Sequence, residues 1–326
     1  MPKYMKCPQL SILDTHDLHR NQCVVITEDF NPVDIMYRDS SIAAFVRRIF
    51  YGHPEMPLPR YDRNTLAPKV AHYVWLGKLD LNVGFFLSIL SMIYVGKVDA
   101  VYIHGNFKPV GKLWQKINNM TDKVHSVPIR KPKFVFGQKI TVIPHFADII
   151  KSSVMYHYGG LMMDPDLIIL KEIPKELLYY DTVVQPGQTP RPGFPDIFNM
   201  GLSFSKPRSE FAKMWLDSER HFVDSNWNWN CGQKTYKMWE RKPEIAKFDK
   251  SLQITCTSNK ICYQGKKVME YVINPEDDKQ WKGHFLSVHF VRGLKNNLKK
   301  LVKDKTISGK VCRLILKAAN EVTSIS

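Results

Sequence analysis

Asp164 and Asp166 stand on either side of Pro165 in the run LMMDPDLIIL, residues 161–170. Two residues apart on an extended backbone, their side chains leave the chain on the same side, and Pro165 removes a backbone donor between them and marks the end of a strand. An isolated Asp-Pro-Asp reads as a surface turn, because both residue types favour turns. The apolar sequences on each side, 161–163 and 167–170, change that reading, since unpaired carboxylates between buried strands are costly. A divalent cation shared with a phosphate removes the cost. Oxygen donors suit Mg²⁺ or Mn²⁺, and such ions often take one or two carboxylates and leave their other positions to phosphate and water.

The elements that would carry this pair follow from the surrounding pattern. Residues 144–158 read as the clearest helix of the chain, with Ile149, Ile150, Val154 and Tyr158 on one side and Gly159 and Gly160 as the stop signal. A short strand, 161–163, comes next. Upstream, 69–75 is a β-branched and aromatic run between Pro68 and Gly77, the pattern of a first buried strand. Residues 82–94 read as a helix with Asn82 as its cap, 100–104 as a strand and 113–119 as a helix. Strand and helix therefore alternate in the manner of a parallel α/β sheet. Residues 182–204 are rich in Pro and Gly and read as a long functional loop, followed by a helix over 209–221. The expected organisation is an N-terminal extension over 1–65, with a helix at 40–50 and a stiff linker at Pro54, Pro57 and Pro59. A main domain over 66–295 follows, then a basic tail over 296–326 with a helix at 311–319.

The stretch from Ala147 to Lys171 resembles the sugar-binding, DXD-containing region of glycosyltransferase family 32 and its relatives, among them the α-1,4-glycosyltransferases and the glucosylating domains of large bacterial toxins. Those families show a Ser-Asp-x-x-Arg helix start, a Tyr-Gly-Gly turn and an Asp-x-Asp strand. The counterparts here are Ala147, Asp148 and Lys151, then Tyr158, Gly159 and Gly160, then Asp164 and Asp166. Ala147 replaces the Ser. Lys151 replaces the Arg, which keeps the charge and loses the planar bidentate fork. Residues 68–77, PKVAHYVWLG, resemble the families' opening strand, which would put Trp75 against the nucleotide base; a core tryptophan is the alternative. His289 in FLSVHFVRG falls where the families often carry a histidine that contacts the diphosphate or completes the metal shell, with a core role as the alternative.

What the resemblance implies is a GT-A fold, Rossmann-like with a mixed central sheet flanked by helices. It implies a UDP- or GDP-sugar as donor, Mn²⁺ or Mg²⁺ held by Asp164, Asp166 and His289, and a retaining transfer to a glycan, lipid or protein acceptor. Asp148 would bond donor-sugar hydroxyls, and Lys151 and Arg292 would share the diphosphate charge. Asn199 would line the sugar cleft, and Trp227 and Trp229 would offer platforms to an acceptor sugar.

Composition sets the boundaries of this reading. A chain of 326 residues, 44% hydrophobic and 12% aromatic, can bury a substantial core. Its net charge of +16 favours anionic partners, densest over 108–139, 260–267 and 295–310. Zinc-finger spacing, RNP-like runs and basic heptads are absent, so nucleic acid is not the expected partner. The six cysteines form no CxxC pair, against structural zinc, and Cys256 and Cys262 are spaced to close a small disulfide loop in an oxidising compartment or to remain free. No signal-peptide core is present, and the longest apolar stretch, 85–95, is too short to span a bilayer. The chain is expected to be soluble or anchored by a segment outside this sequence. The Golgi or secretory-pathway lumen fits eukaryotic relatives and the sequon at Asn119, Met120 and Thr121, while a bacterial or secreted-effector origin needs no anchor. Two other functions compete with the transferase: a non-catalytic binder of sugar nucleotides or glycans, and a polyanion-binding protein.

Overall fold

The computed structural model describes residues 58–185, 187, 197–256, 262–263, 283–291, 293–294 and 297–320. The expected helix over 40–50, Pro54 and Pro57 of the linker, and Arg292 lie outside them.

Seven strands form one mixed sheet in the order β3-β2-β1-β6-β9-β8-β10. β1 is Val70–Trp75, β2 Ala100–Gly105, β3 Val124–Pro128, β6 Gly160–Met163, β8 Thr182–Val184, β9 Leu202–Ser205 and β10 Lys247–Phe248. The β3-β2-β1-β6 half is parallel, β9 runs antiparallel to both of its neighbours, and β10 is parallel to β8. The α/β class is the one the alternation of elements predicts, but the sheet is mixed, as the family resemblance implies, and not parallel throughout.

Both faces of the sheet are covered. Ala71 and Tyr73 of β1 face a first core layer beneath α1, Val83–Leu90, whose end runs on as a π-helical turn over Ser91–Val95. Between β2 and β3 lies α2, Lys112–Met120. Val74 of β1 faces a second layer beneath α3, Ile143–Tyr158, α5, Glu210–Ser218, and α6, Lys234–Arg241; the short α4, Lys175–Leu178, precedes β8. After α7, Leu298–Val302, comes α8, Ile307–Ala318, which buries Val311, Cys312, Ile315 and Leu316 in the first layer. Within residues 297–320 the chain is thus packed into the same core as the sheet.

A second sheet, in the order β12-β11-β13-β7, adjoins the first. β7 is Leu167–Ile169, β11 Gln253–Cys256, β12 Cys262–Tyr263 and β13 Ser287–Phe290. β6 and β7 flank Asp164, Pro165 and Asp166, so the motif stands where the chain passes from one sheet to the other. Cys256 is disulfide-bonded, and Cys262 is its opposite number in the antiparallel β11-β12 pair. A two-stranded hairpin, β4 Phe134–Val135 and β5 Gln138–Lys139, completes the strands.

Two expectations change. Residues 182–204 are not loop throughout, because β8 and β9 occupy the two ends and sit buried in the main sheet. Short strands next to a Pro-rich stretch carry too little periodicity to be read in sequence. The face of α3 marked by Ile149, Ile150, Val154 and Tyr158 is core only in part: Val154 is buried and Ile149 and Ile150 pack against the core, but Tyr158 is exposed, and Asp148, Lys151, Ser152 and Met155 are buried as well. Among the described residues no helix is long and apolar enough to cross a membrane.

Candidate functional site

The Gly159-Gly160 turn fixes how α3 hands over to β6. Both residues have positive φ, 65° and 85°. A Cβ on Gly159 would stand 2.6 Å from the Pro207 nitrogen, and one on Gly160 would stand 2.7 Å from the Val70 carbonyl oxygen. Only glycine meets both demands. The tight turn carries β6 back alongside α3, so that Lys151, in the middle of the helix, faces the end of the strand.

There the Lys151 ammonium donates to Asp164 Oδ1 at 2.7 Å. Asp166 Oδ1 lies 3.2 Å from His289 Nε2 on β13, and Asn199 Nδ2 lies 3.3 Å from His289 Nδ1. Asn199 Oδ1 accepts from the Gly201 amide at 2.8 Å, which turns its Nδ2 toward the histidine. A neutral His289 ring is thereby held with its proton on Nε2, aimed at Asp166. The Gly201 carbonyl accepts from the Asp164 amide at 2.7 Å, and a Cβ on Gly201 would reach 2.5 Å from Asp164 Oδ2. Gly201 is a component that sequence reasoning missed. Its importance comes from the antiparallel approach of β9 to β6, which no local pattern signals.

The charges are balanced internally. Burial opposes the charge of Lys151, but Asp164 and Asp148 outweigh it and raise its pKa. Burial likewise pushes Asp164 up, and the charge and hydrogen bond of Lys151 outweigh it, so the carboxyl is held below its usual range. Asp148, one helical turn before Lys151, is raised by burial, with Lys151 and His145 offsetting part of the effect. For His289, burial is outweighed by the hydrogen bond and charge of Asp166 and the charge of Asp164, which raise its pKa.

Asp164 and Asp166 open onto a cleft of about 430 Å³ lined also by Trp75, Asn82, Gly84 and Pro165, with Ile168, Phe290 and Leu294 on its apolar side. Trp75 ends β1 and packs against Phe85 of α1 at 5.9 Å between ring centroids. Asn82 caps α1 by accepting from the Phe85 amide at 2.9 Å. The Asp164 and Asp166 side chains keep 27% and 37% of their surface, enough to reach a ligand in the cleft. The fold thus brings Trp75, Asp164, Asp166, Lys151, Asn199 and His289 into one neighbourhood, with Asp148 buried behind Lys151. His289 has protein partners at both ring nitrogens, Asp166 at Nε2 and Asn199 at Nδ1. Trp229 is buried and Trp227 is exposed, so Trp229 offers no open platform.

The two carboxylates fit a hard divalent cation. They are oxygen donors open to one cleft, and glycine at 201 leaves room for Asp164 Oδ2. Among the described residues no group of three or more His, Cys, Asp or Glu side chains is placed to enclose a metal by itself. A cation held here would need a ligand, such as a diphosphate, to complete its shell.

No protein-family model matches the chain. A curated relative, "Glucan organizing enzyme 1" of Cryptococcus neoformans var. grubii, is 25% identical over 199 residues, which cover 57% of this chain and 53% of the relative. Solved structures that align with part or most of the chain include glycosyltransferases. The PaToxG glycosyltransferase aligns at TM-score 0.41 and 16% identity over 55% of this chain and 71% of that one. An active-site mutant of LgtC aligns at TM-score 0.44 and 11% identity over 79% and 97%. The chain spans about half the length of its curated relative.

Proposed function

We propose that the chain is a metal-dependent glycosyltransferase that takes a UDP- or GDP-sugar as donor and transfers the sugar, with retention, to a glycan, lipid or protein. The observation that carries the reading is the paired opening of Asp164 and Asp166 onto the cleft that also holds Trp75. Aromatic face, carboxylate pair and internal cation are the three features that a base, a metal-bound diphosphate and a developing negative charge would each require.

Asp164 and Asp166, with His289 beside Asp166, would hold Mn²⁺ or Mg²⁺, which when bound neutralises the departing nucleoside diphosphate. The chain's own residues prepare that event. His289 fixes the rotamer of Asp166 through Nε2, and Asn199 fixes His289. Lys151 neutralises Asp164 before any ligand arrives and supplies a positive charge beside the phosphates afterwards. Trp75 offers its ring to the base from the end of β1. Asp148, buried and raised in pKa, would accept or donate a hydrogen bond to a donor hydroxyl once Lys151 has moved toward phosphate.

For location we propose the Golgi or another secretory-pathway lumen. The disulfide at Cys256 suits an oxidising compartment, and the sequon residue Asn119 is exposed in the last turn of α2. The function is tested by screening UDP- and GDP-sugars for hydrolysis with and without Mn²⁺. Metal-dependent release of nucleoside diphosphate from one donor supports the transferase. Donor binding without release on any of them would leave only a sugar-nucleotide binder.

A further inference from the structure

The β4-β5 hairpin exposes the side chains that a soluble hairpin would bury. Val135 points inward and packs with Ile140, Phe146 and Phe222, while the larger Phe134 and Phe136 point outward, 59% and 66% exposed. Phe136 also occupies the turn, at φ +46°, followed by Gly137 at φ +81°. Positive φ at both central residues is the type I′ arrangement, in which Asn and Gly are at ease and an aromatic side chain is not. The tip therefore carries two costs at one residue, backbone strain and exposed apolar surface.

The surroundings are apolar and basic together. Arg130, Lys131, Lys133 and Lys139 are exposed around the hairpin, and no acidic residue occurs from 123 to 147. Arg220 approaches the Phe136 ring at 5.9 Å. Asp224 draws the following loop onto the start of α3 by accepting from the Thr141 amide at 2.8 Å and pairing with His145 Nδ1 at 2.9 Å. That contact brings the exposed Trp227, whose ring lies 6.4 Å from that of His145, to the same edge as the exposed Ile143. An apolar groove of about 810 Å³ begins at Arg130 and Pro132 and runs to Tyr158.

We propose that this edge, with the hairpin tip as its wedge, binds the surface of an anionic lipid bilayer. Phe134 and Phe136 enter the acyl boundary while Arg130, Lys133 and Lys139 meet the headgroups. Aromatic side chains within a basic collar match both parts of such a surface, apolar below and negative above. Charge alone would account for the lysines and leave the strained, exposed Phe136 unexplained. The hairpin's core includes Leu76, next to Trp75, so the docked edge lies close to the cleft. The inference stands apart from the transferase reading, because vesicle binding can be measured without donor or metal, and from the lumenal location, because it requires only a leaflet with negative headgroups.

The test is co-sedimentation of the full chain with vesicles of phosphatidylcholine alone or mixed with phosphatidylserine. The wild-type chain is expected to partition onto the mixed vesicles and weakly onto phosphatidylcholine. Phe136→Asn removes the ring and relieves the turn, so binding should fall by roughly tenfold while the thermal midpoint holds or rises. The Lys133→Gln, Lys139→Gln pair should weaken binding to the mixed vesicles by roughly tenfold or more. Absence of wild-type binding to the mixed vesicles overturns the proposal. So does equal binding by Phe136→Asn, which would assign the edge to polyanions in general.

Discussion

Lys151 determines how the site rests when no ligand is bound. Its ammonium lies 2.7 Å from Asp164 Oδ1 and is flanked by the buried Asp148, so removing it leaves two carboxylates without their cation. Lys151→Met is expected to lower stability by about 2–3 kcal/mol in urea denaturation, less than for a fully buried pair because Asp164 keeps some contact with water. Mn²⁺ should restore part of that loss in the variant and change the wild type less. The acidic residues and Trp75 were legible in sequence because their types and their order along the chain matched a known pattern. The ion pair was not, since it depends on where α3 lies against β6.

At the scale of elements, β9 does more than continue the sheet. Its lead-in residue Gly201 holds the Asp164 backbone and leaves space for the carboxylate, since a Cβ added there would meet Asp164 Oδ2 at 2.5 Å and Asn199 Oδ1 at 2.8 Å. Both atoms end movable side chains, so Gly201→Ala should displace the site more than it unfolds the protein. The expected result is a change in stability of under about 1 kcal/mol with metal affinity reduced by roughly tenfold or more, read by denaturation and by calorimetry. The sequence predicts α3, β1 and β2 well because their apolar patterns are long. It leaves β8 and β9 inside a supposed loop, since strands of three and four residues are specified by their neighbours in space.

For the whole molecule, His72 and His104 couple stability to pH. They meet across β1 and β2, Nδ1 to Nε2 at 3.0 Å. Burial, with the charge of His104 adding to it, holds His72 down to about 3, and burial holds His104 down to about 4. The unfolded chain takes up these protons near pH 6.5 and the folded chain does not, so stability is full above that pH and falls as the pH drops through 6.5 toward 4. A loss on the order of a few kcal/mol is expected by pH 4.5. His104→Leu should cost about 1–2 kcal/mol at neutral pH, by stranding His72 Nδ1, and flatten the acid limb in pH-dependent thermal denaturation. The α/β class was readable from the alternation of elements, whereas the antiparallel β9 and the second sheet, with His289 on β13, depend on long-range pairing that periodicity does not encode. Asp164 and Asp166 are proposed to bind a nucleoside diphosphate through a divalent cation. Calorimetry of UDP and GDP on the full chain, with Mn²⁺ or with a chelator, tests it most directly. Binding of at least one nucleotide that requires Mn²⁺ and disappears in Asp166→Asn is the result expected; nucleotide binding that persists with chelator and in the variant, or no binding by the wild type, would contradict it.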